Sequence, residues 1–225
     1  MTDTFESTLE AFTKRVLADP LPPRPLNYLL LVGQTADNER SVLGRAARYL
    51  HEHGGGEFGN PRLLIVDAPP GFGFPGFPRW EVGLRRRDVP PENIVRISYP
   101  DPARGVNTNT EMRAFFDYLR HVAASSGAMR IGGVAAPFHE PRAFANFVSV
   151  MLKSGVNGGT LDVFALPGDP LPLDEVVTHS QGTTRGTRAD LVRAEAERIR
   201  VYAEIGDLLP IPEVMAYMDA RDARN

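Results

Sequence analysis

The sequence predicts an α/β fold in which a mainly parallel sheet of about five strands has helices on both faces, with further helices at the two ends of the chain. Two observations predict this fold. Short apolar runs bounded by turn residues, such as Tyr28–Gly33, are typical of strands buried on both faces. Helical stretches with one apolar face separate these runs, and strands that alternate with helices form parallel sheets covered by helices.

The first third of the chain predicts two helices and two strands. A helix is expected over about 4–17, and the proline-rich stretch 19–25 ends it. The strand 28–33 follows, and then a helix over about 38–53, which three glycines terminate. The second strand is 62–67.

A long loop rich in glycine, proline and phenylalanine follows the second strand. Residues 68–78 contain too much glycine and proline for regular structure, and a loop of this length inside a compact domain is usually functional. Its phenylalanines either line a pocket, as a lid would, or form an aromatic plug under a surface loop, and both interpretations stay open. A helix over about 79–87 and a strand over 94–97 come next.

The remaining core elements follow residue 107. Thr108 and Glu111 match a capping box, with Thr108 as the N-cap of a helix. A strand over 129–135 precedes a helix that begins near Pro141, which suits a first helical position because its missing N–H costs nothing there. The last core strand is 160–166.

The C-terminal region predicts a helical extension of the core. Residues 169–187 are irregular, 188–205 predict a charged amphipathic helix, and a short helix near 212–218 ends the chain. We therefore expect a single domain with three parts: an N-terminal helix and connector over 1–25, a core over 26–168, and a helical extension over 169–225 that packs on the core.

The composition excludes several classes of protein. The sequence does not indicate a nucleic-acid binder, because its formal net charge is −3 over 225 residues and it has no basic stripe with interleaved aromatic residues. It contains no cysteine, which excludes disulfides and thiolate chemistry. The N-terminus lacks the features of a secretory signal, and no apolar run approaches the ~20 residues of a membrane span. We expect a cytoplasmic protein with no membrane partner.

The common nucleotide-binding and catalytic motifs are absent. The first strand is followed by GQTADNER instead of G-x-G-x-x-G, neither lysine lies in a glycine-rich loop of the Walker type, and no G-x-S-x-G elbow occurs. His51 and His53 are two residues apart, which does not place them on one helix face. Because no spacing typical of metal ligands occurs, we predict no metal site.

Polar residues nevertheless follow each of the first four predicted strands. Because the carboxyl ends of parallel strands meet at one edge of the sheet, where ligands bind in open α/β sheets, we expect one polar pocket there. The candidate acid–base groups are Glu81, Glu111 and His139, and Arg142 is the cation expected to neutralise an anionic ligand. The further ligand-binding candidates are Gly33, Gln34, Asn38, Arg40, Asn107, Thr108, Asn109 and Thr110.

Structural roles compete with three of these assignments. His139 precedes a helix and is suited to capping it, Arg142 lies in a first turn where arginine is often only solvated, and Glu111 fits the capping box. The functional interpretation combines a proton carrier, a cation and the free N–H groups of a helix N-terminus, which together favour an anion. The expected ligand is a zwitterionic or phosphorylated small molecule.

Several segments resemble the YdcF/SanA/ElyC family of bacterial proteins. These are Glu81, LRRRDVPPENI at 84–94, NTNTE at 107–111 and FHEPRA at 138–143, and the resemblance covers about residues 27–166. It implies a Rossmann-like three-layer α/β/α sandwich, and the terminal helices are most similar to the soluble YdcF type. That type is associated with binding S-adenosylmethionine, which is therefore the cofactor that the resemblance implies.

Two loops depart from the family pattern. The family usually has Ser-Gly-Gly after the second strand, where this chain has DAPPG at 67–71, and Gly71 is the ligand-binding residue implied in that loop. The usual Thr-x-Glu-Asn is NTEM at 109–112 in this chain. These departures favour altered ligand contacts and a changed substrate.

Three functions compete. The first is an enzyme, a transferase or hydrolase, that acts on a nucleotide-like or phosphorylated metabolite with glutamate and histidine as acid–base groups. The second is a non-catalytic module that binds S-adenosylmethionine or a similar nucleoside. The third is an interaction protein of envelope biogenesis, which the missing signal and anchor disfavour.

Overall fold

The computed structural model describes residues 2–22, 24–54, 61–68, 73–99, 107–122, 129–155, 161–178 and 184–225. A 3₁₀ turn, Pro91–Asn93, precedes the third strand. In chain order the helices and strands are α1 (Thr2–Leu17), β1 (Tyr28–Leu31), α2 (Glu39–His53), β2 (Arg62–Asp67), α3 (Phe77–Arg85), β3 (Ile94–Ser98), α4 (Thr108–Val122), β4 (Met129–Val134), α5 (Glu140–Lys153), β5 (Leu161–Ala165), β6 (Val176–Thr178), β7 (Arg185–Thr187), α6 (Arg188–Glu204) and α7 (Ile211–Asp222).

Strands β1 to β5 form one parallel sheet in the order β3-β2-β1-β4-β5. In its centre, Leu31 of β1 lies opposite Ile65 of β2 on one side and Val134 of β4 on the other. The predicted fold class is therefore confirmed: the chain forms a Rossmann-like α/β/α sandwich with additional helices at both ends.

Two hydrophobic cores lie on opposite faces of the sheet. Alternate residues of β2 divide between them, because successive side chains of a strand point to opposite faces. Leu63 and Ile65 join the core beneath α2 and α3, which contains the fully buried Trp80. Leu64 and Val66 join the larger core beneath α4 and α5. This burial on both faces explains why the strands appear in the sequence as continuous apolar runs.

Helix α5 is buried on all sides. Every residue from Glu140 to Met151 is buried, although the sequence predicts an apolar face only on the sheet side. The terminal helices account for the difference, since α1, α6 and α7 all contact α5. The ring of Phe12 on α1, for example, lies 6.5 Å from the ring of Phe144.

A buried ion pair connects the two ends of the chain to β5. The side chains of Asp19 and Arg221 are both fully buried. Asp19 Oδ2 accepts hydrogen bonds from Ala165 N and Arg221 Nη1, both at 2.8 Å, and Arg221 Nη1 also donates to Val163 O at 2.6 Å. The Arg221 guanidinium lies 4.3 Å from the ring centroid of Phe164. The segment that follows α1 and the helix α7 are thus both held to β5, an edge strand of the sheet.

The segment predicted to be irregular before α6 contains a short hairpin. Strands β6 and β7 pair antiparallel, with Val177 opposite Gly186. Each strand has three residues, which is too short for a clear alternating pattern in the sequence. Thr187 then caps α6 through its hydroxyl, which accepts a hydrogen bond from Asp190 N.

The described phenylalanines of the loop after β2 form a plug. Phe74 and Phe77 are buried in the core under α3, and the Phe74 ring packs edge to face on Trp80 with centroids 5.1 Å apart. The aromatic-plug interpretation is therefore the one that these two residues support. Residues 69–72 of the same loop, including Gly71, lie outside the described residues. Within the part of the chain that is described, no helix combines the length and the apolarity needed to cross a membrane.

Candidate functional site

The sheet reverses its strand order between β1 and β4, and this is where ligands bind in open α/β sheets. The loops that follow these two strands separate at this point, directly after Val32 N donates to Val134 O at 3.0 Å. Helix α4 begins beside them. Six residues from these three places and from the first turn of α5 form the cluster that we call the Glu111–His139 cluster: Gly33, Gln34, Thr108, Glu111, His139 and Arg142.

The cap of α4 differs from the one predicted. Asn107, not Thr108, is the N-cap, because Asn107 O accepts the first helical hydrogen bond from Glu111 N at 3.0 Å. Asn107 Oδ1 accepts from Thr110 N at 2.9 Å, and Asn107 N donates to Thr110 Oγ1 at 3.0 Å. The predicted capping box of Thr108 and Glu111 is therefore wrong. Asn107 and Thr110 make the local cap, and the Glu111 side chain turns toward the sheet.

Glu111 lies against the backbone at the end of β1. Its Oε1 accepts a hydrogen bond from Gly33 N at 3.1 Å, and the residue is 5% exposed. Burial raises the pKa of Glu111 to about 7, while the Gly33 N–H and the charge of Arg142 act in the opposite direction. A Cβ at Gly33 would lie 2.6 Å from Glu111 Oε1, so this approach requires glycine. Glu111 is therefore a buried carboxyl that titrates near neutral pH.

His139 is held between the loop after β1 and the start of α4. The residue is 1% exposed. Its Nδ1 lies 3.5 Å from Gln34 Nε2 and its Nε2 lies 3.4 Å from Thr108 Oγ1. When Gln34 Nε2 donates to Nδ1, the matching tautomer carries its proton on Nε2, which then donates to Thr108 Oγ1. His139 makes no side-chain cap on α5, so the simple capping role is wrong.

Gln34 retains an unused acceptor in this cluster. The residue is fully buried, and its Oε1 has no hydrogen-bond partner within the described part of the chain. A half-turn of this amide exchanges its oxygen and nitrogen, and in that orientation Gln34 Oε1 would accept a hydrogen bond from a protonated His139 Nδ1.

Arg142 is buried and ion-paired with a residue of the C-terminal extension. Its Nε contacts Glu195 Oε2 at short range and its Nη2 lies 3.3 Å from Glu195 Oε1. Glu195 also accepts from Arg198 Nη1 at 2.8 Å. Arg142 Nη1 donates to Thr108 Oγ1 at 3.3 Å, which places the guanidinium directly behind the Thr108–His139 contact. The predicted anion-binding cation thus already has a carboxylate partner.

The loop after β1 is occupied by the C-terminal extension. Asn38 Oδ1 accepts from Arg188 Nε at 2.9 Å, and Arg188 Nη2 donates to Asp37 O at 3.1 Å. At the start of α2, Glu39 N already donates to Thr35 O at 3.0 Å. The predicted ligand residue Asn38 therefore holds Arg188 instead, and the N-terminus of α2 is a poor site for a phosphate.

The other predicted residues lie away from the cluster. Arg40 is exposed and forms an ion pair of 3.0 Å with Glu175, and Asn109 accepts from Arg113 Nε at 2.7 Å on the surface of α4. Glu81 is half-buried on α3, and none of the hydrogen bonds among the described residues joins it to the cluster. The structure thus brings together Gly33, Gln34, Thr108, Glu111, His139 and Arg142, and it assigns Asn107 and Thr110 to the helix cap.

Sequence reasoning missed three buried charged residues near this edge. Glu195 and Arg188 lie in α6, which has many charged residues, and the sequence does not indicate which of them are buried. Glu140 is fully buried at the start of α5, where its Oε2 accepts from Ala135 N at 2.6 Å. Burial raises the pKa of Glu140 well above its ordinary value. Its place in the segment FHEPRA was the available signal. No three acidic or histidine side chains of the described residues are placed to hold a metal ion.

The chain was compared with family models, with curated proteins and with solved structures. None of these three comparisons found a match. The resemblance to the YdcF/SanA/ElyC family stays a prediction that depends on the residues quoted for it.

Proposed function

We propose that this chain is an enzyme that acts on a nucleotide-like or phosphorylated small molecule bound between β1 and β4, with Glu111 as its main proton carrier. The observation that carries the proposal is the buried Glu111 carboxyl, whose pKa is about 7, at the switch point of the sheet. A general acid–base group works best when its pKa lies near the operating pH. Desolvation is the usual way in which enzymes bring a glutamate into that range.

His139 supplies the second proton-transfer group in this proposal. It shares a partner with Arg142, since the Thr108 hydroxyl contacts both side chains. The buried Arg142–Glu195 pair holds Thr108 and thereby orients the imidazole. In this proposal Arg142 positions His139 and favours the negatively charged form of Glu111. Arg142 could bind an anionic ligand only if its ion pair with Glu195 broke.

The alternative is a module that binds S-adenosylmethionine or another nucleoside without catalysis. Both proposals place the ligand in the same crevice, because that is where Rossmann-like sheets bind nucleotides. They differ in the use of Glu111. A binding module has no need of a carboxyl with a pKa near neutrality, whereas proton transfer depends on one.

The test combines a binding screen with a turnover assay. The wild-type protein is screened by thermal shift against adenosyl compounds, nucleotides and sugar phosphates, because a ligand that binds only the folded state raises the melting temperature. Each stabilising compound is then incubated with protein and followed by mass spectrometry. We expect Glu111→Gln to retain the thermal shift and to lower turnover about 100-fold or more.

Two further variants sharpen the test. Glu81→Gln examines the other predicted carboxylate and is expected to turn over the ligand at the wild-type rate. Glu140→Gln is the matched control for removing a second buried carboxyl with a raised pKa. Normal turnover in Glu111→Gln would contradict the enzyme proposal, and stabilisation by an adenosyl compound without any turnover in the wild type would support the binding module.

A further inference from the structure

Outside the Glu111–His139 cluster, the strongest charged feature is a groove between α2 and α3, which we call the arginine groove. It encloses a cavity of about 450 Å³. This volume lies within the range of small-molecule sites and exceeds the size of a single phosphate. Its lining residues are Glu39, Arg40, Leu43, Arg79, Val82, Gly83, Arg86 and Arg87.

Helical spacing explains how α3 and the turn that follows it supply much of this lining. Arg79, Val82 and Gly83 of α3, with Arg86 and Arg87 directly after it, are spaced at i, i+3, i+4, i+7 and i+8. The helical hydrogen bonds continue to Arg86, whose N donates to Val82 O at 3.0 Å, so these residues lie along one face. Arg79 lies at one end of this face and Arg86 and Arg87 at the other, separated by about two turns or ~10 Å. Gly83 lies between them, where an added Cβ would approach Leu43 Cδ1 to 2.8 Å. The missing side chain therefore allows α2 and α3 to pack closely in the middle of the groove.

The charges of the groove are only partly compensated. Four guanidinium groups face a single lining carboxylate, although the whole chain has a net charge of −3. Arg79 Nε donates to Glu39 Oε1 at 3.0 Å, and Arg40 pairs with Glu175 outside the groove. Arg87 Nη1 donates to Gly83 O at 2.7 Å, a bond that orients the guanidinium and leaves its charge without a carboxylate. Arg86 is exposed, and its guanidinium takes part in none of the hydrogen bonds and ion pairs found among the described residues.

We propose that the arginine groove is a binding site for a diphosphate group, separate from the crevice between β1 and β4. Guanidinium groups bind phosphate oxygens through paired, charge-assisted hydrogen bonds, and several of them in a concave site concentrate anions. Arg40 and Arg79 have carboxylate partners, so Arg86 and Arg87 are the two guanidiniums of the groove that lack one among the described residues. Together with the volume of the groove, they suit two adjacent phosphates better than one. Free pyrophosphate and the diphosphate of a nucleotide share this chemistry. The two sites have no residue in common, so this proposal does not depend on the proposed function.

The experiment measures pyrophosphate binding by calorimetry in a chelator-containing buffer of fixed ionic strength, so that screening stays constant. The double variant Arg86→Gln/Arg87→Gln is compared with Arg193→Gln/Arg200→Gln, which also removes two charges but from the exposed side of α6. We expect the groove variant to raise the Kd about tenfold or more, because each lost contact to a charged phosphate is costly. The α6 variant is expected to bind as the wild type does.

A single-residue variant and two further ligands test whether a change in affinity arises at the arginine groove. Arg86→Gln alone avoids the Arg87–Gly83 bond, so weakened binding in this variant does not reflect a loosened helix end. ADP and adenosine distinguish the sources of the diphosphate: binding of ADP and pyrophosphate but not adenosine supports the site. Glu111→Gln should bind pyrophosphate normally, which separates the two proposals. Equal binding by both double variants, or no binding by the wild type, would overturn the assignment.

Discussion

Glu111 makes the stability of the folded protein depend on pH. Burial raises its pKa to about 7 from an ordinary value of 4.5, so the folded state holds this proton more tightly than the unfolded chain does. The stabilisation is complete below the unfolded pKa and is lost as the pH rises through the folded pKa. Relative to Glu111→Gln, which stays neutral, the wild type should lose about 2 to 3 kcal/mol between about pH 5 and pH 8.

Urea unfolding of both proteins at the two pH values measures this loss. Glu140 has a raised pKa as well, but it is present in both proteins and cancels in the difference at each pH. A difference in the free energy of unfolding that stays constant with pH would show that Glu111 is ionised in the folded state.

Gly33 is expected to control the same titration. A Cβ at Gly33 would lie 2.6 Å from Glu111 Oε1, so in Gly33→Ala the carboxyl has to move and loses the Gly33 N–H. That hydrogen bond lowers the pKa of Glu111, and its loss should shift the midpoint of the pH-dependent stability change above about 7. Gly186→Ala is the control, because its Cβ would remain 3.5 Å from Asp190 Cβ. An unchanged midpoint in Gly33→Ala would exclude this role.

For the candidate site, the sequence predicts which residues lie together at the edge of the sheet but not which hydrogen bonds their side chains form. Gly33, Glu111, His139 and Arg142 all follow strands, and the topology brings their backbones to one edge. The side-chain assignments depend on choices that the sequence leaves open. The sequence predicts Thr108 as the N-cap of α4, but Asn107 takes that position and forms the cap with Thr110. The Glu111 side chain is therefore not used for capping and accepts from Gly33 N instead.

The terminal helices are held to the sheet by the Asp19–Arg221 pair. Breaking a buried ion pair from one side leaves an uncompensated charge, so Asp19→Asn should lower the free energy of unfolding by about 3 to 5 kcal/mol. The neighbouring pair of Arg224 and Asp162 is partly exposed, and Arg224→Met should cost less than about 1 kcal/mol. Chemical denaturation of the two variants provides the comparison. Similar small losses in both would mean that α1 and α7 are not anchored by this pair.

The elements themselves were predictable where a local pattern specifies them. All five core strands and the helices between them follow from apolar runs and helical periodicity. The complete burial of α5 did not follow, because it depends on segments far away in the chain. The β6–β7 hairpin did not follow, because its three-residue strands are too short for a clear alternating pattern. The Asp19–Arg221 pair spans 202 residues, and no local pattern in the sequence relates two such positions.

For the whole molecule, the C-terminal extension contacts the candidate site directly through Glu195, which pairs with Arg142, and it holds the neighbouring loop after β1 through Arg188. This buried arginine donates to Asn38 Oδ1, to Asp37 O and, at 2.8 Å, to Pro172 O. It therefore joins α6, the loop after β5 and the loop after β1. Arg188→Leu removes these charged donors and should destabilise the fold by about 2 to 4 kcal/mol.

The main effect of Arg188→Leu is expected in the loop after β1. Without the guanidinium, the loop over 33–38 loses its hydrogen bonds to Arg188 and keeps only those to Thr178 on the C-terminal side. Its amides should therefore exchange with solvent faster while those of β2 and β3 stay protected. Because Gly33 N is the donor to Glu111, the same change should weaken ligand binding in the crevice. Arg193→Leu, on the exposed side of α6, is the matched control. Hydrogen exchange that rises equally throughout the sheet would indicate global destabilisation instead of a loop held by the extension.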